Sequence, residues 1–213
     1  MTHPATNKKG TVNHPNWKCH LPSAPIGEAR VVVDTCKCSN LKANPMSHIT
    51  QGRGDLIPIK TTLPNNTHLS LLAVYNPPST TTATEFISSI DLPPEPTLLV
   101  GDFNLHSPNW DDAVTVENDH AHHICKWMAN NNIKVNNDSN KPTYHGHHFQ
   151  HASVINLALT NSLLSLTFNI SPVKVLTDDH YGGNHYPISI GTHPIQNQDQ
   201  QNDLDSLDHL PTF

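Results

Sequence analysis

Charge is scarce in this chain. Asp, Glu, Lys and Arg make up 14% of its 213 residues, and 18 acidic against 12 basic side chains leave a formal net charge of −6 with His neutral. That balance excludes a broad basic face of the kind that grips nucleic acid mainly through its phosphates. It does not exclude a site that holds one phosphate. Long hydrophobic runs are also missing: stretches such as LSLLAVY (residues 69–75) are far too short to span a bilayer. The opening MTHPATNKKG has no apolar segment, so no secretory signal is read there, and an intracellular setting of unspecified compartment is expected. Cysteine is limited to Cys19, Cys36, Cys38 and Cys125. Cys36-x-Cys38 is half of a zinc pattern without its second pair, so free thiols are the expectation.

What fills the gap is Asn, Thr and Ser, with 17 His and 18 Pro, while hydrophobic residues reach only 35%. The length suits one domain with a core, and the composition requires long polar loops. Residues 1–28 read as loop. Strands are expected at residues 29–34 (ARVVVD), 56–60 and 69–75, the last two joined as a hairpin through Pro64-Asn65-Asn66. Pro77-Pro78 ends the second strand, because proline removes a ladder donor and restricts the residue before it. A short helix is expected at 85–90 and a buried strand at 97–100. Ala121, Ile124, Cys125 and Met128 recur at helical spacing and predict a helix over 120–131. Further strands are expected at 153–159, 163–168, 173–176 and 186–190. Residues 192–213 are polar and acidic and read as a disordered tail. Short strands with few helices point to a mixed α/β sandwich, with its domain at residues 29–191.

Chemistry concentrates at Gly101-Asp102-Phe103-Asn104, where an apolar strand runs out into a loop. Residues two apart on an extended segment point the same way. Asp102 and Asn104 would therefore share one side, with Phe103 turned into the core. A carboxylate beside an amide suits phosphoester hydrolysis, since one can take a proton from water and the other can donate to a phosphate oxygen. The same four residues also suit a plain turn.

The wider context carries a resemblance. Residues 101–110 (GDFNLHSPNW) closely resemble the GDFN-x-H-x-x-x-W signature of non-LTR retrotransposon endonucleases, within the endonuclease/exonuclease/phosphatase superfamily. Residues 74–78 (VYNPP) resemble the strand end that supplies an active-site Tyr. Thr143 followed by SVINLALTN (153–161) resembles the family's Thr and S-x-I-D-L-x-L-T-N. GNHYPI (183–188) resembles its closing S-D-H-x-P-I, and NHPNW (13–17) with Pro22-Ser23 resembles its early H-P-x-W and P-S positions. Together these cover roughly residues 13–190.

The resemblance implies a DNase I-like, four-layer α/β sandwich, a DNA substrate and Mg²⁺-dependent cleavage of a phosphodiester. It implies that Tyr75 contacts the phosphate and that Asp102 orients or deprotonates the attacking water. Asn104 would position that water or the phosphate. His185 would bind the phosphate and stabilise developing charge, and Thr143 would lie near the DNA groove. His106 would either face the active site or cap its loop. Asn184 and Asp102 would stand where the family holds metal. No membrane partner is implied, and oligomeric state is left open.

Three departures follow from the same comparison. The family's N-terminal strands, with the Q-E Glu that anchors the metal, have no counterpart, so the sandwich is expected to be incomplete at its N-terminus; Glu28 and Asp34 stand in a different context. The Asp that pairs with the closing His is Asn156, whose amide N–H would favour the wrong imidazole tautomer. The Asp before that His is Asn184, and an uncharged amide oxygen binds Mg²⁺ weakly. Asp179-His180 is the alternative pair if the register slips. A weakened or lost nuclease activity is therefore expected, with a non-catalytic remnant as the alternative. His145, His147, His148 and His151 read as a polar loop rather than a metal cluster. Trp17, Trp110 and Trp127 read as core or loop-anchoring residues.

Overall fold

The hairpin at residues 56–75 shows how local chemistry sets up the sheet. In a computed structural model describing residues 15–22, 29–50, 55–78, 81–146, 152–179 and 183–195, Asn66 takes a left-handed φ of 63°. Asn65 Oδ1 accepts the Thr67 N–H, which makes the turn that returns the chain on itself.

In chain order the elements are β1 (Trp17–His20), β2 (Val33–Cys36), β3 (Lys42–Pro45), α1 (Ser47–Thr50), β4 (Leu56–Thr62), β5 (His68–Tyr75), α2 (Thr81–Ser88), β6 (Thr97–Asp102) and α3 (Asp119–Asn130). There follow β7 (Ile133–Val135), β8 (Tyr144–His145), β9 (Ala152–Ser153), β10 (Asn156–Asn161), α4 (Ser162–Thr167), β11 (Phe168–Ile170), β12 (Lys174–Val175), β13 (Ile188–Ser189) and β14 (Thr192–Pro194). Six strands form one sheet in the order β3-β4-β5-β6-β10-β7, and the other described strands pair as four two-stranded ladders. All ladders are antiparallel except β5–β6, which is parallel. The α2 crossover makes that parallel pairing reachable.

Alternation along the strands divides the core. Leu72, Val74, Leu99, Leu157 and Leu159 face one way and pack with Ile87 of α2, with Ile90 just beyond it, and with Ala121, Ile124, Trp127 and Met128 of α3. On the other face, Ile57, Ile59 and Ala73 pack with Val31, and Leu98 packs with Leu164 and Phe168. Each fully buried aliphatic side chain contributes about 1.5–3 kcal/mol. This is the α/β sandwich anticipated from the sequence.

Several local expectations shift. Residues 163–167 belong to α4 rather than to a strand, and Phe168 begins β11. The N-cap of α4 is Asn161, whose Oδ1 accepts the Leu164 N–H. The same oxygen also takes the Thr97 N–H and the amide donates to the Glu95 carbonyl, tying the start of β6 to the end of β10. The strand expected over 153–159 is interrupted at Val154-Ile155, because Thr143 Oγ1 takes the N–H groups of Ile155 and Asn156. The loop reading of residues 1–28 is corrected at β1, which pairs with β2, and the tail boundary at residue 192 is corrected by β14, which pairs with β11. Residues 196–213 lie outside the described residues. Trp17 is 38% exposed and so belongs to no core, whereas Trp110 is buried and donates to the Leu105 carbonyl. Cys36 and Cys38 are joined by a disulfide. That corrects the free-thiol expectation for these two and removes the sulfurs a zinc site would need; Cys19 and Cys125 are free thiols.

Candidate active site

The chemistry-bearing residues meet at the strand ends on one face of the main sheet. Tyr75, the last residue of β5, is in parallel register with Asp102, the last of β6. Asp102 is in antiparallel register with Asn156, the first of β10. Register partners share a face, so Tyr75, Asp102 and Asn156 stand in one row across three adjacent strands. Gly101 makes this close approach attainable. Its φ is +151°, and a Cβ there would sit 1.8 Å from the Val74 carbonyl oxygen. Phe103 is fully buried, as its alternation with Asp102 and Asn104 requires.

Past the strand end, Asn104 adopts a left-handed φ of 48°, a conformation Asn tolerates better than most residues. Its N–H donates to Asp102 Oδ1 at 3.0 Å. Its side-chain amide donates to the Asn76 carbonyl at 2.8 Å. Asn76 reciprocates: its N–H donates to the Asp102 carbonyl at 2.7 Å, and its side chain donates to the Phe103 carbonyl at 2.7 Å. Asn76 is thus a buried clamp that fixes the GDFN loop. Its place within VYNPP gives no hint of that part.

His185 is delivered by the segment ahead of β13, in a bridge with Tyr144. Its Nδ1 lies 3.2 Å from Asn156 Oδ1. The Asn156 amide nitrogen donates to the carbonyls of Tyr186 at 3.2 Å and Thr143 at 3.4 Å. Two carbonyl acceptors on one end of the amide assign its oxygen to the imidazole. Nδ1 then carries the proton and Nε2 keeps its lone pair. This corrects the expectation that an asparagine at this position favours the wrong tautomer. The Tyr144 ring packs edge-on against the imidazole at 4.8 Å. His180, the alternative partner, lies outside the described residues.

Burial pushes the Asp102 carboxyl above its ordinary value of 3.8, opposed by the nearby His185 and by the Asn104 hydrogen bonds. Thr143, expected near the DNA groove, is a buried supporting residue. Its hydroxyl accepts two backbone N–H groups, and its carbonyl accepts from Tyr186 and Asn156. It therefore supports the Asn156–His185 pair from beneath. His106 and Asn184 are exposed. His145 packs edge-on against Tyr186 at 5.0 Å; His147, His148 and His151 lie outside the described residues.

The row has a fourth member that no sequence signal announces. Asp55 precedes β4, and its carbonyl accepts the Tyr75 N–H. Its carboxylate is paired with Arg30. For a resident Mg²⁺ the donor set is therefore poor. The cation favours several anionic oxygens. Of the two carboxylates in this row, Asp55 is committed to Arg30, and Asp102 stands among the amides of Asn104 and Asn156. No group of three or more His, Cys, Asp or Glu suited to a metal occurs among the described residues. These residues do not fit the ion by themselves.

Among solved structures, the chain is similar to the endonuclease domain of TRAS1, a telomere-specific non-LTR retrotransposon, at 12% identity and a TM-score of 0.69, covering 86% of this chain and 81% of that one. It is similar to the Xenopus laevis APE2 catalytic domain at 13% identity and 0.61, covering 87% and 79%. The 3'-5' exonuclease NExo from Neisseria meningitidis matches at 13% identity and 0.54, covering 83% and 80%. At such identities these likenesses establish the DNase I-like fold. No curated protein matches. The family model for endonuclease-reverse transcriptase matches residues 69–189, more than half of the 213-residue chain. The chain belongs to the endonuclease-reverse transcriptase family, the retrotransposon type of the endonuclease/exonuclease/phosphatase superfamily.

Proposed function

We propose that this domain hydrolyses phosphodiester bonds in DNA, with turnover well below that of a family member holding the full carboxylate set. The observation that carries the reading is the row Tyr75–Asp102–Asn156, with His185 hydrogen-bonded to its last member.

Asn104 occupies one oxygen of Asp102 and leaves Oδ2 to accept a proton from water. A carboxyl raised by burial is a better proton acceptor than an ordinary aspartate. The water oxygen bonds to phosphorus as its proton passes to Asp102, and the ester P–O bond breaks with its electron pair on the leaving sugar oxygen, which takes a proton from solvent. His185, once protonated at Nε2, is a cation that favours the charge building on the phosphate oxygens. Asn156 Oδ1 accepts the Nδ1 proton in either state but adds no negative charge to hold the imidazolium. Tyr75 donates its hydroxyl to a non-bridging oxygen. No step is assigned to a metal ion, because the donor set does not fit one.

Slow turnover rests on the neutral amides at residues 156 and 184, where the family resemblance expects carboxylates. Plasmid nicking in magnesium buffer, compared with Asp102→Ala, tests the proposal. Relaxation of supercoiled DNA by the native chain and its loss in the variant is the expected result. Equal nicking by both, or none by either, points instead to a non-catalytic remnant.

A further inference from the structure

We propose that Arg30 is a phosphate-binding residue of the DNA site, locked in place by Asp55 and Tyr75. The inference rests on the nuclease reading above and extends it to a residue outside the family-matched segment.

Arg30 lies ahead of β2, far in sequence from the motif residues. Its Nη2 donates to Asp55 Oδ2 at 2.8 Å, and its Nε lies 2.6 Å from Asp55 Oδ1. The Nη2 contact is a hydrogen bond and the Nε contact a close ion-pair approach. The guanidinium carbon sits 5.8 Å from the centroid of the Tyr75 ring, so the cation is also held by the aromatic face. The Asp55 side chain is only 7% exposed, whereas that of Arg30 is 46% exposed. One side of the guanidinium is buried against its partners and the other faces solvent.

The donor count leaves capacity for a ligand. A guanidinium has five N–H donors. Asp55 takes one at Nη2 and holds the Nε side in the ion pair, which leaves the Nη1 end for the oxygens of a phosphodiester. The placement suits one as well. Leu56 pairs with Val74, so Asp55 continues that register to Tyr75, and Tyr75 pairs with Asp102. Arg30 is therefore anchored to the same row of strand ends that carries the catalytic residues. An ion pair whose cation is half exposed adds little net stability. Its clearest effect here is positional: one cation is fixed beside the tyrosine proposed to touch the scissile phosphate.

The alternative is that Arg30 only neutralises Asp55. A double variant separates the two. Equilibrium binding of a fluorescein-labelled DNA duplex is measured by anisotropy with EDTA present, from 50 to 300 mM KCl. The chains compared are the native one, Arg30→Gln, Arg30→Lys and Arg30→Gln/Asp55→Asn, with thermal unfolding followed for each. Arg30→Gln is expected to weaken binding about tenfold at the lowest salt and to flatten the slope of log K against log salt by about 0.9. Arg30→Lys should keep the slope. The double variant has no unpaired buried charge and should recover stability without recovering affinity. Affinity restored in the double variant, or a salt slope unchanged in Arg30→Gln, overturns the proposal. So does a native chain that binds no duplex. The nuclease reading is decided separately, by Asp102-dependent nicking.

Discussion

At the scale of single residues, the amide of Asn156 governs what the site can do. Its nitrogen is held by two carbonyls, so its oxygen must face His185. Nitrogen-15 spectra of the imidazole should show the Nδ1–H tautomer. Asn156→Leu should lose that tautomer preference and lower nicking about 10²-fold or more, whereas Asn156→Asp should keep it and raise nicking. Equal nicking in all three would remove His185 from the reaction.

Asp102 makes a second, opposing demand. Its carboxyl is raised by burial, against the pull of His185 and Asn104. A raised acid is protonated more readily in the folded chain than in the unfolded one, so its ionisation works against folding. Asp102→Asn should therefore unfold at a higher temperature near pH 7, and the difference should vanish once the pH falls below the ordinary carboxylate value. For activity the sign reverses: the acid limb of the nicking profile should lie above that ordinary value, because the ionised form accepts the proton. A variant less stable than the native chain at neutral pH would contradict this.

At the scale of elements, the β5–β6 pair positions the site, and Gly101 sets its spacing. A methyl group there meets the Val74 carbonyl at 1.8 Å, at a φ that side chains avoid. Gly101→Ala should cost about 3 kcal/mol or more. For a domain of this size that lowers Tm by about 6–12 °C, measurable by circular dichroism. The GDFN signature thus contains two kinds of residue. Gly101 and Phe103 serve the fold, while Asp102 and Asn104 are the proposed site residues. Elements were legible where local chemistry was decisive, as in the β4–β5 hairpin and the α3 stripe. The apolar run at 163–168 misled because the deciding contact, Asn161 capping the helix while bonding Thr97, spans 64 residues.

At the scale of the whole molecule, charge is the lever. The chain carries −6 with every His neutral, and 17 His would take it to +11 if all were protonated. Ordinary imidazoles titrate around pH 6.5. Non-specific DNA affinity should therefore rise by about tenfold or more from pH 8 to pH 5.5 and become steeper in salt. Anisotropy titrations at the two pH values would check it, and a pH-independent affinity would show that the bulk charge plays no part.

The amino-acid sequence by itself determined the family and the sandwich class, and it singled out Tyr75, Asp102, Asn104, Asn156 and His185 as candidates, because ordered motifs and strand periodicity are local features. Tertiary structure alone decided which way the Asn156 amide faces, that Thr143 is a buried support, that Asn76 clamps the GDFN loop and that Arg30 and Asp55 join the row of strand ends. Each of those depends on hydrogen bonds between residues brought together by strand register and packing. Such pairings are set by the sheet as a whole, and no window of neighbouring residues contains them.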